Sequence, residues 1–371
     1  MNFKLLKKIY KKFLTFHESR FAKDVRSWLG VRELKISDEK IKSFYNTFYR
    51  STFVEFWSEV KILSFLENTL EYMKHKPEDI WEFENYVEFF TQEDLAKVIN
   101  GRFILNEEIN TFLLRPMKKK EILLEIKKTF GKFKKNEPTF KLIEKISNKK
   151  CHFKPKFDQL PITISSAANI IEKISWYYPF YSGFLFVGDD DFVSIFMSRV
   201  IENFTPFVID IDDELINTIN DIDEKIKTYR IDVRTEKKIK EKVMGFLTNP
   251  PYTEMGVEQF TKFGINQFGE DGGFSFIIFG DESIGNRLLL IEKFFLQNNL
   301  KILEIAKSKV HYRFMVMHPE DRVVFERLSN FFNEKQIKNS NMLTADIYVL
   351  SYLPWKIKRM RVKNQKMYSY I

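Results

Sequence analysis

A single cysteine, Cys151, in 371 residues excludes an intramolecular disulfide framework and leaves no CxxC pair for zinc or thiol redox work. His152 beside it adds one ligand type, and two adjacent residues do not make a metal site, so no metal is expected at this pair. No run of 18 or more apolar residues occurs, which excludes a hydrophobic helix of spanning length. The opening MNFKLLKKIYKKFLTF is a basic amphipathic helix pattern without a small-residue cleavage site, so the expectation is a cytoplasmic chain with no membrane partner. Glycine is scarce, at 13 residues. In particular, nothing resembling a glycine-rich phosphate cradle follows the first strong strand signal.

What is present is apolar and aromatic: 44% hydrophobic and 16% aromatic residues suffice for one large core or two domains of unequal size. The net charge of +9 suits nucleic acid or an acidic surface, but Lys and Phe are abundant throughout, so the excess reads as general basic character. Residues 1–150 show helical periodicity, as in KIKSFYNTFY, VEFWSEVKILSFLENTLEYM and EDLAKVI, the last with Thr91 and Asp94 spaced as a capping box. Short helices followed by GRFILN are compatible with a winged-helix unit. A basic stretch from Lys118 to Lys156 follows as a connector containing helix. From Phe157 the texture becomes strands alternating with helices: GFLFVGD, PFVIDID, TYRIDV, GFLTNPP and GGFSFIIFG, then KILEIAKSKVHYRF and ADIYVLSYL. The expectation is an α/β fold: a Rossmann-like parallel sheet over 151–371, closed antiparallel by its last two strands, behind a mostly helical domain over 1–150.

In such sheets ligands sit at the carboxyl ends of the strands, and the acidic residues of this chain punctuate those ends. Gly188 is followed by Asp189, Asp190 and Asp191, a cluster that repels a pyrophosphate and makes sense chiefly with a bound cation, either an organic amine or sulfonium or a metal ion such as magnesium. One of the three can cap the helix FVSIFMSRVI, and one cap accounts for one aspartate. Asp210 in VIDID stands where such folds hydrogen-bond a ribose, with Asp212 suited to capping DELINTI and Asp232 a candidate for an adenine contact. In LTNPPYT, Pro250 and Pro251 stiffen the backbone and leave outward carbonyls beside the Asn249 oxygen, acceptors suited to an uncharged amine. Tyr252 adds a face for a flat group or a cation.

Together KFDQLPIT, FVGDDD, VIDIDDEL and TNPPYT resemble the branched-chain polyamine synthases, the N4-bis(aminopropyl)spermidine synthase family, over roughly residues 157 to 310. The resemblance implies a spermidine-synthase or methyltransferase type of Rossmann domain behind a winged-helix-like one, and a homodimer. It implies transfer of an aminopropyl group from decarboxylated S-adenosylmethionine to a secondary amine of a polyamine such as spermidine, releasing methylthioadenosine, chemistry that needs no metal. Asp189, Asp190 and Asp191 would then meet the reacting amine, with Asp190 accepting its proton. Gly188, Asp158, Gln159, Asp210 and Asp232 would lie at the donor, and Asn249, Pro250, Pro251 and Tyr252 at the acceptor. The family loop reads DPPET, so Asn249 and Tyr252 replace two carboxylates, and the CxxC of family members is absent. NPPY is instead similar to the loop of amino-group methyltransferases. With the basic-aromatic tail WKIKRMRVKNQKMYSY, this keeps open an S-adenosylmethionine-dependent amino-methyltransferase acting on nucleic acid, or a non-catalytic polyamine- or nucleic-acid-binding relative.

Overall fold

The computed structural model describes residues 3–33, 35–66, 80–313 and 319–355, so the tail after Trp355 and residues 67–73 of the third helical pattern lie outside the described residues. Helices Phe3–Val31, Asp38–Phe48, Phe53–Phe65 and Ile80–Gln92 come first. The third starts at a capping box in which Thr52 accepts from Glu55 N–H and Glu55 reaches back to Thr52 N–H. EDLAKVI is not helical. The helix ends at Gln92, and Thr91 sits in its last turn, its hydroxyl bonded back to the Val87 and Glu88 carbonyls. The chain then forms an antiparallel hairpin of β1 (Ala96–Ile99) and β2 (Arg102–Leu105). Asn100 and Gly101 both have positive φ, 51° and 75°, the dihedrals of a tight two-residue hairpin turn, and this turn overrides the helical tendency of the residues before it. The basic connector holds helices Lys119–Phe130 and Thr139–Ser147.

The second half is a seven-stranded sheet. Its strands are β3 (Ser182–Val187), β4 (Thr205–Asp210), β5 (Lys227–Arg230), β6 (Gly245–Thr248), β7 (Gly273–Phe279), β8 (Leu300–Arg313) and β9 (Asn341–Tyr352), in the order β5-β4-β3-β6-β7-β9-β8. The first five are mutually parallel, and β9 lies antiparallel between β7 and β8. Alternation assigns the faces: Phe184 and Phe186 join one apolar cluster, Leu185 and Val187 the other. Helices Ile164–Tyr177 and Val193–Val200 cover the first face, while helices Glu254–Ile265 and Leu288–Gln297 cover the second. The described residues thus form an α/β protein of Rossmann type with a helical N-terminal region, as the strand and helix signals predict. No helix among them is long and apolar enough to cross a membrane.

The first cluster continues without interruption into the N-terminal helices, through Phe53, Phe56, Trp57 and Val60. At that junction Lys61 is 2% exposed, and its ammonium donates to the Ser175 carbonyl at 2.7 Å and the Tyr178 carbonyl at 3.3 Å. These carbonyls end helix Ile164–Tyr177, where intrahelical donors have run out. Burial holds the Lys61 pKa well below the ordinary lysine value. Lys61→Ala is expected to lower the unfolding free energy by about 2–4 kcal/mol, through a cavity and two orphaned carbonyls. Urea unfolding measures it, and an unchanged midpoint would mean that the desolvation of the amine cancels its bonds.

Candidate active site

The sheet reverses its winding between β3 and β6: the chain leaves β3 toward β4 on one side and returns at β6 on the other. The crevice at the carboxyl ends of these two strands is therefore the place for a ligand. Gly188 ends β3 with φ of 76°, a left-handed conformation that a side chain resists, and its N–H donates to the Ile209 carbonyl. A Cβ there would sit 3.9 Å from Asp210 Oδ2, so glycine keeps the approach to that carboxylate open.

The three aspartates after Gly188 have different partners. Asp189, 3% exposed, points back into the protein and accepts from the N–H and hydroxyl of Ser194, anchoring the first turn of helix Val193–Val200. Asp191, equally buried, accepts from Ile162 N–H at 2.9 Å and from the Asn249 amide at 2.8 Å. Asp190 is half-buried and receives a hydrogen bond from Leu160 N–H at 3.1 Å. KFDQLPIT therefore forms a strap across the cluster, with amides at Leu160 and Ile162 and a proline, lacking one, between them.

Burial raises all of these carboxylates. Asp189 stands well above the carboxylate range despite its bonds from Ser194. Asp190 does too, because burial is reinforced by the charges of Asp191, Asp210 and Asp189. Asp191 is pushed up to about 7 by burial, against the opposing pull of its two N–H donors. Asp210, at the end of β4, is raised to about 6 by burial while it accepts from Asp212 N–H at 2.8 Å and Asp189 N–H at 3.4 Å. Desolvation and mutual repulsion thus oppose the simultaneous ionisation of these carboxylates.

The remaining sequence candidates fall around this pocket. Gln159 accepts from Lys154 N–H and donates to Asp212, which caps helix Asp213–Ile222 and pairs with Lys154. Gln159 thus braces the strap against the β4 end. Asp158, exposed and left-handed at φ of 56°, lies close enough to Tyr252 to raise its pKa. Asp232 is clasped by the Arg234 guanidinium at 2.6 to 3.1 Å and belongs to the end of β5.

The loop after β6 differs in detail from the sequence expectation. The Pro251 carbonyl is taken by Thr253 N–H at 2.7 Å, and Gly256 packs where a Cβ would meet that carbonyl at 2.5 Å. The Asn249 oxygen accepts from Tyr312 at 3.0 Å, with the Tyr252 hydroxyl at 3.4 Å, while its amide faces Asp191. Asn249 is therefore a bridge between the acids and two tyrosines. Pro250 is buried beneath it, and Pro251 and Tyr252 are half-buried. Tyr312, from β8, is the residue that sequence reasoning missed. Its only signal is an aromatic hydroxyl at a buried position of a strand, which requires a polar partner.

Comparison with known proteins matches residues 139–367 to the family model described as the branched-chain polyamine synthase A C-terminal domain. An uncharacterized protein of Methanocaldococcus jannaschii is 34% identical over 96 residues, a stretch that spans 24% of this chain and 24% of that relative. Among solved structures, the branched-chain polyamine synthase of Thermus thermophilus, in complex with N4-aminopropylspermidine and 5'-methylthioadenosine, is 13% identical with a TM-score of 0.45, covering 87% of this chain and 94% of its own. A mutein of that synthase gives 14%, 0.48, 86% and 93%. A putative RNA methyltransferase of Pyrococcus horikoshii is 13% identical with a TM-score of 0.40, covering 54% of this chain and 91% of its own. Since the family model spans more than half of the chain, acidic cluster and NPPY loop included, the protein belongs to the branched-chain polyamine synthase family.

Proposed function

We propose that the crevice between β3 and β6 transfers an aminopropyl group from decarboxylated S-adenosylmethionine to an amine of a spermidine-like polyamine, yielding a branched product and methylthioadenosine. The observation that carries this reading is Asp190: a half-buried carboxylate with a single N–H donor, Leu160, surrounded by three further carboxylates. Such a site favours a cation, since at an effective dielectric near 20 a charge about 6 Å from an ammonium contributes roughly 2–3 kcal/mol before desolvation. Binding of the amine draws the cluster into its ionised form and releases protons to solvent.

An aliphatic ammonium, with a pKa of about 10, is not a nucleophile until it loses a proton. A carboxylate whose own pKa is raised is the better acceptor for it, because the transfer is less uphill. Asp190 takes that proton as the nitrogen attacks the carbon next to the sulfonium. The new C–N bond forms, the C–S bond breaks, and its electron pair leaves with the neutral thioether. Asp210 suits the donor ribose. Asp191, tied by two N–H groups, holds a second cationic nitrogen, and Asp189 serves the helix. Methyl transfer to a nucleobase amine is the second reading, favoured by NPPY. The engagement of the Asn249 oxygen by Tyr312 weighs against it, because that oxygen is not left for a substrate amine.

The coproduct separates the two readings. Incubated with each donor and a panel of polyamines, the protein is expected to release methylthioadenosine, and release of S-adenosylhomocysteine with a methylated nucleic acid would replace this proposal with the second reading. Asp190→Asn should fold normally and lose about 10² to 10⁴ in kcat. Near-normal kcat on the best acceptor would make Asp190 a structural residue.

A pH dependence follows from the raised carboxylates. Their folded values, about 6 for Asp210 and about 7 for Asp191, exceed the ordinary 3.8, so the folded state holds the extra protons. Their contribution to stability is complete below that ordinary value and is lost as pH rises through 6 and 7. Spermidine binds the ionised form. The rise in melting temperature that it produces should therefore grow between about pH 5 and pH 8, and a flat increment across that range would remove the cluster from the binding site.

A further inference from the structure

The hydrogen bonds around Asn249 have a direction. The Tyr252 and Tyr312 hydroxyls lie 2.7 Å apart, and Tyr312 donates to the Asn249 oxygen at 3.0 Å. The Asn249 amide donates to Asp191 at 2.8 Å, and Ile162 N–H donates to its other oxygen at 2.9 Å. A hydroxyl gives one proton and accepts others; Tyr312, at 3.0 Å, is better placed to donate to the Asn249 oxygen than Tyr252, at 3.4 Å, and in that arrangement Tyr252 donates to Tyr312, Tyr312 to Asn249 and Asn249 to Asp191. Every proton in the chain points toward the carboxylate, and such chains polarise their members cooperatively. Both phenols are held protonated, chiefly by burial and also by the nearby aspartate charges, so they remain donors at neutral pH.

The orientation of the Asn249 amide matters because Asp190 and Asp191 share one low-dielectric space. Turned the other way, the amide would face Asp191 with its oxygen and favour the protonated acid there. With Tyr312 fixing the oxygen, Asp191 has two N–H donors and Asp190 has one. Donors to a carboxylate favour its charged form, so the member with fewer has the greater affinity for a proton.

We propose that Tyr312 is a positioning residue: by fixing the Asn249 amide toward Asp191, its hydroxyl keeps Asp191 ionised and leaves Asp190, the carboxylate open to the acceptor, as the member of the pair that takes up the acceptor's proton. The proposal deepens the amine-transfer reading and rests on it for the identity of that acceptor. Tyr252, whose hydroxyl stands 3.4 Å from the Asn249 oxygen against 3.0 Å for Tyr312, acts chiefly through its 2.7 Å contact with Tyr312.

The test combines Tyr312→Phe, Tyr252→Phe and Asn249→Ala with a readout that needs no turnover: unfolding midpoints in urea from pH 5 to 8.5 without ligand. Tyr312→Phe is expected to move the pH at which stability levels off upward by about half a unit or more, as Asp191 loses its best donor. Asn249→Ala should give the same shift, Tyr252→Phe a smaller one, and adding Tyr312→Phe to Asn249→Ala should shift it no further. A uniform loss of stability at every pH, or an unmoved profile in Asn249→Ala, would overturn the proposal, and the second outcome holds even if Tyr312→Phe does not fold. In turnover, Tyr312→Phe should lower kcat about tenfold with acceptor KM changed less than about twofold, and shift the acid limb of the kcat profile in the same direction. If the unmodified protein releases no methylthioadenosine with any amine, the functional reading fails, while the stability profiles still decide the role of Tyr312.

Discussion

The structure turns on the desolvation of like charge at the ends of two neighbouring strands. Asp189, Asp190, Asp191 and Asp210 lie together, the first and third buried and the other two half-buried, and desolvation raises the pKa of each. The fold answers with backbone and side-chain donors delivered from three directions: the strap at Leu160 and Ile162, the helix start at Ser194, and the loop after β6 at Asn249. None of these donors carries a positive charge. Among the described residues the cluster is therefore short of counter-charge, unlike a buried ion pair.

The placement of the site was legible because it depends on local signals. Short β-rich runs alternating with helices determine the sheet, and the sheet brings the ends of β3, β4 and β6 side by side, with Asp210 closing β4, Asn249 following β6 and Asp190 in the turn after β3. The assignment of one aspartate to a cap was legible as well, though not which one. What could not be read is orientation. Asn249 turns its oxygen away from the expected substrate because Tyr312, 63 residues later, holds it, and no local pattern joins the two. Likewise EDLAKVI reads as helix until the Asn-Gly turn after it supplies a partner strand.

The helical N-terminal region is bound to the sheet by apolar packing and by one buried amine at the end of helix Ile164–Tyr177. The other end of that helix starts at Thr163, directly after the strap, and Thr163 N–H bonds to the His311 carbonyl beside Tyr312. One rigid element thus connects the N-terminal helices to the acidic pocket, with β8 alongside.

The alternation in the strap has a kinetic meaning. Leu160 and Ile162 each give one amide to an aspartate, and Pro161 between them gives none, so the strap is held by two separate rungs. A ligand nitrogen that reaches Asp190 Oδ2 competes for the oxygen that holds the Leu160 rung, whereas the Ile162 rung is made to Oδ1 of the buried Asp191 and is not in that competition. Occupancy would loosen the outer half of the strap and leave the inner half as its pivot, so that the departure of a ligand and the re-engagement of Leu160 become one motion.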